Sequence, residues 1–248
     1  MIKIFRKIRY DLMEKNKTGK YLKYAIGEVI LVVIGILIAI QLNQWRMESN
    51  NNNQKQTVLN ALEPEFEANL QQLDTVIYYM EKVSKGYLLA NEMMKKPLRM
   101  YSENDYSKLI LNLSWTYTFN PSNGALRSAI SSSEIHLIDN NRLIEVLFSW
   151  EDAIKDSNEE ALTIRNFQYE SQEMKGKYIS ATEEWKSLFT EMIVPNNPSD
   201  FKGLLQDDAF ENYSILSYAY AKEYLDELND IKDQNMEILL LIKQELAK

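Results

Sequence analysis

The sequence predicts an all-α protein: an N-terminal transmembrane helix followed by a long-helix bundle domain outside the cytoplasm. Three observations predict it. Tyr24–Leu42, YAIGEVILVVIGILIAIQL, is the only long apolar run in the chain. Beyond it, apolar residues recur at spacings of three and four, the period of one helix face. The 248 residues hold only seven glycines and five prolines, and Gly27 and Gly35 lie inside the apolar run. That leaves too few turn residues for a many-stranded sheet.

Residues 1–23 form a basic head, with eight Lys and Arg side chains against Asp11 and Glu14, a net of +6. Ile2, Phe5, Ile8 and Leu12 fall at helical spacing with basic groups on the other faces. The pattern reads as an amphipathic helix on the cytoplasmic leaflet, drawn there by anionic lipid. The competing reading is a disordered tail that only sets topology. Asn16-Lys17-Thr18-Gly19 breaks the pattern ahead of the apolar run.

Residues 24–42, as a helix, reach roughly 28 Å, close to a hydrocarbon core of about 30 Å. A helix satisfies its own backbone and crosses lipid alone. Glu28 is the only charge in the run, and Tyr21, Tyr24 and Trp45 mark its edges as interfacial aromatics do. A buried core helix would usually be shorter. A cleaved signal would have a shorter apolar stretch and a small-residue cleavage site, and Gln41–Trp45 offers none. The reading is therefore an uncleaved signal-anchor. The basic head puts the N-terminus in the cytoplasm and residues 43–248 outside.

The stretch from Met1 to Trp45, MIKIFRKIR…KYLKYAIGEVILVVIGILIAIQLNQW, resembles the N-terminus of a group of uncharacterised single-pass inner-membrane proteins of Bacteroidota. A second stretch, Phe119–Ile138, FNPSNGALRSAISSSEIHLI, followed by a capped helix through Ser149-Trp150, is similar too. Many members have Gly-Lys where this chain has Ser133-Glu134, a change read as conservative for the fold. The resemblance implies a protein of the inner membrane with a helical periplasmic domain over 43–248. No functional residue carries over from it.

Ser49–Gln56, SNNNNQKQ, reads either as a linker or, preferably, as a solvated part of one continuous helix. Leu62, Phe66, Asn69, Leu73, Val76, Met80, Val83 and Tyr87 then mark one face of a long helix in bundle or coiled-coil register, with Pro64 as a kink position and Pro97 as its end. Asn69 in this seam serves helix register or is a solvated edge position. Ser102 and Asp105 form a capping box for a helix through Tyr117. Ser114–Phe119 alternates polar and aromatic, a pattern that also allows a short strand there. Ser122 is the expected cap of a helix over 125–130, and Asp139–Asn141 offer caps for a helix with the stripe Leu143, Leu147, Trp150, Ile154, Ala161 and Ile164. Trp185, Leu188, Phe189 and Ile193 suggest a shorter element before the loop Pro195–Pro198, with Ser199 as the next cap. The last helix spans about 207–248, and Leu228, Ile231, Asn235, Ile238 and Ile242 line one face. Asn235 sits in its seam as Asn69 does in the first, and the two are candidates to hydrogen-bond.

The whole chain carries −8, so residues 43–248 carry −13 once the head and Glu28 are set aside. Such a surface repels nucleic acid, which is excluded as a partner. There is no Cys and one His, His136, so neither a Cys/His pair nor a His-rich metal site can form within one chain. His136 reads as a loop or packed imidazole. No glycine-rich phosphate loop is present. The acidic clusters Glu63/Glu65/Glu67, Asp207/Asp208 and Glu223/Asp226/Glu227 read as solvated faces, and most of the fifteen tyrosines read as core. No catalytic residue, metal or cofactor is expected.

The residues with a positional claim to function lie in the anchor. Glu28 is an ionisable group near the cytoplasmic edge of the membrane. Gly35 and Ala39, with Gly27 two turns back, form a small face that lets helices approach. These three, Glu28, Gly35 and Ala39, are the candidate transmembrane contact. The leading reading is a membrane-anchored interaction or scaffold protein of the cell envelope. Its partners are the lipid bilayer and either a second copy or another inner-membrane or periplasmic protein. The alternative is a ligand-sensing helical domain that signals through a partner; an enzyme acting on envelope polymers through paired carboxylates ranks third.

Overall fold

A computed structural model describes Tyr10 and residues 18–113, 115–180 and 199–248. Residues 1–9 and 11–17 of the basic head, the element around Trp185–Ile193 and the loop 195–198 lie outside the described residues. The chain divides into two compact units, Met1–Gln56 and Thr57–Lys248. Every regular element among the described residues is helical.

Helix α1 runs from Thr18 to Met94. Thr18 and Gly19, read as part of a break, are already helical, and so is the whole of Ser49–Gln56. In the first unit the large apolar side chains of Tyr24–Leu42 all face outward, from Val33 at 48% exposure to Val29 at 62%. This stretch supplies a window of mean hydropathy 2.6 with no residue buried in the protein.

In the second unit α1 continues past Pro64, and its pattern inverts. All eight seam residues from Leu62 to Tyr87 are buried. The last turn tightens as Lys95 N–H donates to Glu92 O at 3.2 Å and Lys96 N–H to Met93 O at 3.2 Å. Pro97 disfavours helix for the residue before it and so ends the element.

Helix α2, Glu103–Leu113, opens on the expected capping box: Ser102 N–H donates to Asp105 Oδ2 at 2.9 Å, and Asp105 N–H to Ser102 Oγ at 3.3 Å. It stops at Leu113 rather than Tyr117. It crosses α1 at Gly86, where an added Cβ would lie 3.0 Å from Asn112 Cβ. Residues 115–123 are irregular, and the short strand that the alternation at 114–119 allowed does not form over its described residues. Side chains take up the backbone there instead: Gln168 Nε2 donates to Trp115 O at 3.2 Å, and Phe119 N–H donates to Tyr224 Oη at 3.2 Å.

Helix α3 is Gly124–Ser131, followed by a 3-10 turn, Glu134–Leu137. Helix α4, Asn141–Glu170, is capped by Asn140, whose Oδ1 accepts from Arg142 N at 3.0 Å and Leu143 N at 3.2 Å. Its predicted stripe from Leu143 to Ile164 is buried throughout. Short helices α5, Gln172–Gly176, and α6, Phe201–Leu204, follow. The α6 cap is Asp200, which accepts from Gly203 N at 2.8 Å, while Ser199 Oγ accepts from Ser180 N at 3.0 Å. Helix α7, Asp208–Leu246, is capped by Asp207.

The second unit is a bundle of α1, α4 and α7 with α2 and α3 packed onto it. Trp150 of α4 meets Phe66 of α1 edge-on at 5.1 Å. Arg142 of α4 pairs with Glu237 of α7 through two contacts at 2.7 and 3.0 Å, and Gln234 Nε2 donates to Val146 O at 3.0 Å. Lys232 reaches Asp74 at 2.7 Å and Lys243 reaches Glu67 at 3.3 Å, so α7 runs antiparallel to α1.

Candidate functional site

The anchor residues and the second resembling stretch give two places to look. In the first unit, Glu28 is half-buried, and Gly35 and Ala39 stand one turn apart on the exposed helix surface. Among the described residues, and beyond the helix's own backbone, nothing lies within 4 Å of a Cβ built on Gly27 or Gly35, so that face has room for a neighbouring backbone.

In the second unit, Phe119–Leu126 is held from three helices. Asn69 Nδ2 donates to Ser122 O at 2.8 Å, and Ser122 N–H donates to Asn69 Oδ1 at 2.8 Å. Glu65 accepts Ala125 N–H at 2.7 Å and Leu126 N–H at 3.0 Å. Trp150 Nε1 donates to Asn123 Oδ1 at 3.1 Å. Tyr224 of α7 receives the Phe119 amide, as above. Phe119 itself is buried against Trp150, ring centres 6.2 Å apart.

This arrangement corrects several expectations. Asn123, not Ser122, is the N-cap residue of α3, and its side chain makes no capping bond. The orphan N–H groups of α3 are met by Glu65, one full turn before Asn69 on α1, so Glu65 is not part of a solvated face. Asn69 is buried rather than a wetted edge, and its amide is used by Ser122. No Asn69–Asn235 hydrogen bond forms, since both side-chain polar atoms of Asn235 are buried without a partner. Ser133 has φ 62° and ψ 11°, the left-handed region. There a Cβ costs about 1–2 kcal/mol and glycine avoids it, so Ser133 is not neutral for the fold.

Several further polar groups of the bundle lie on or against α7. Tyr87 and Tyr213 share a hydroxyl contact of 3.2 Å, and burial, with Tyr213 beside it, pushes the Tyr87 hydroxyl well above its ordinary range. Glu227 is raised by burial first and then by Glu160, Glu223, Asp156 and Asp230 around it. Glu237 is lowered by its bond to Arg142. His136 is exposed on the 3-10 turn. Among the described residues no three His, Asp or Glu side chains converge to hold a metal ion.

The geometry defines an all-helical protein with one long apolar helix near its N-terminus and a bundle whose connecting loop is clamped by side chains. A profile described as a family of unknown function (DUF6090) matches residues 28–160, more than half of the chain, and the protein belongs to that family. The matched region begins at Glu28 and includes Glu65, Asn69, the whole Phe119–Leu126 clamp and Trp150; Tyr224 lies beyond it. No curated protein and no solved structure matches the chain.

Proposed function

We propose that the protein is a membrane-anchored interaction or scaffold protein of the cell envelope rather than an enzyme. Residues 24–42 span the inner membrane, the basic head of residues 1–23 stays in the cytoplasm, and the helical unit stands on the periplasmic side. The observation that carries this reading is the outward turn of every large apolar side chain in Tyr24–Leu42. Exposing so much contiguous apolar surface to water is strongly unfavourable, and lipid removes the cost. A non-catalytic role is supported by the absence of Cys and the exposed position of the single His. Gly35 and Ala39, with Glu28 one turn inside the membrane edge, form the contact face toward a second copy or a partner helix.

Alkaline carbonate washing of isolated membranes tests the anchor. The protein is expected to stay in the pellet, as an integral protein does. Release into the supernatant would leave α1 without its proposed lipid partner and end the reading.

A further inference from the structure

One surface of the second unit is built from rings and a lysine without a carboxylate partner among the described residues. Tyr78 and Tyr79 of α1 are adjacent and exposed, at 55% and 37%. Lys82, one turn on, holds its ammonium 4.3 Å from the centre of the Tyr78 ring and 5.5 Å from that of Tyr79. Tyr117 stacks on Tyr79 with centres 4.5 Å apart and planes within 12°, and the half-buried Trp115 follows 6.3 Å from Tyr117. The irregular segment that carries these last two rings is fixed, because Gln168 of α4 bonds both Trp115 O and the Thr116 hydroxyl. Lys85 nearby is paired with Glu81 at 2.7 Å, whereas among the described residues no carboxylate lies within ion-pair distance of Lys82.

We propose that Tyr78, Tyr79, Tyr117, Trp115 and Lys82 form a binding surface for a saccharide that carries a carboxylate. Ring faces are electron-rich and attract the weakly positive C–H groups on a flat sugar face, while repelling anions. The carboxylate therefore goes to Lys82. A lysine already seated on the rings disfavours the cationic ligands that aromatic cages take. Nucleic acid would also combine stacking with negative charge, but the −13 over residues 43–248 opposes a polyphosphate. A short uronic-acid sugar carries only a few carboxylates and meets less of that repulsion than a polyphosphate does. The surface lies wholly within the second unit, so the inference stands whether or not α1 crosses a membrane.

Calorimetric titration of the full chain, in a detergent without a sugar headgroup, tests it with three probes: trigalacturonate, the neutral cellotriose and triglutamate. Trigalacturonate is expected to bind in the millimolar range or tighter and at least about ten-fold better than either control. Lys82→Met and Tyr78→Ala, both at exposed positions, are expected to weaken it about ten-fold with the melting temperature unchanged. Equal binding of cellotriose would remove the role of Lys82. Equal binding of triglutamate would make the surface one for an acidic peptide. No binding of trigalacturonate at about 10 mM, or undiminished binding by both variants, would overturn the proposal outright.

Discussion

Residues 24–42 and residues 62–87 belong to one helix and read as opposites. In the first stretch large apolar side chains point outward all round; in the second they form one stripe, from Leu62 at 0% exposure, facing α4 and α7. The backbone geometry is the same, so the difference lies in what each stretch needs around it. A helix apolar on every face requires an apolar surrounding that the described residues do not supply, whereas a helix apolar on one stripe finds its surrounding in its own bundle. Glu65 and Asn69 of the second stretch are committed to the chain's own backbone, whereas Gly35 and Ala39 of the first stand on the exposed helix surface.

Five substitutions bear on this contrast, in decreasing order of effect. Trp150→Ala removes the ring that packs on Phe66 and Phe119 and is expected to cost about 3–5 kcal/mol in chemical denaturation of the purified protein. Ile34→Arg places a charge mid-way along the outward-facing stretch. Its expected cost of about 2.5–3.5 kcal/mol in lipid insertion would appear as a larger fraction released by alkaline washing, with the bundle's melting temperature unmoved. Asn69→Leu leaves the Ser122 N–H and C=O without their partners and should destabilise by about 2–3 kcal/mol.

Asn235→Leu is expected to act in the other direction. Its amide is buried with neither polar atom satisfied, so an apolar side chain of similar volume should stabilise the bundle by about 1 kcal/mol in the same unfolding assay. The smallest effect belongs to Glu227→Gln. Burial and neighbouring carboxylates raise the Glu227 pKa in the folded state. The folded protein then holds that proton more tightly than the unfolded chain does. The resulting penalty is absent below the unfolded carboxylate pKa and fully present above the folded one. Glu227→Gln should therefore stabilise by a few tenths of a kcal/mol at neutral pH, after allowance for solvent screening. The gain should fade as pH drops through the carboxylate range, which thermal melts at a series of pH values would follow.

The helices themselves were legible because they rest on local signals. The seams from Leu62 to Tyr87, Leu143 to Ile164 and Leu228 to Ile242 all turned inward, and the Ser102/Asp105 and Asn140 caps formed where the sequence put them. The clamp was not legible, because it joins residues 27 to 105 positions apart. Glu65 looks like any acidic residue on an exposed face until α3 is placed with its N-terminus against it. Ser122 was favoured as a cap by residue type alone, but its own backbone is engaged by Asn69. The Asn69–Asn235 pairing failed for the same reason: seam periodicity fixes which face a residue occupies and says nothing of which group reaches it first. Ser133 shows the limit from the other side, since its left-handed conformation is set by the turn between α3 and the 3-10 segment rather than by serine.

The central claim is that α1 carries the second unit across a membrane with the basic head left behind. The chain has no Cys, so single cysteines report cleanly. One is placed at Asn16→Cys in the head and another at Asp152→Cys, an exposed position of α4. Cells with a permeabilised outer membrane and an intact inner one are treated with a membrane-impermeant maleimide. The account predicts labelling of Asp152→Cys at once and of Asn16→Cys only after lysis. Protection of both positions, or the reverse pattern, would contradict it.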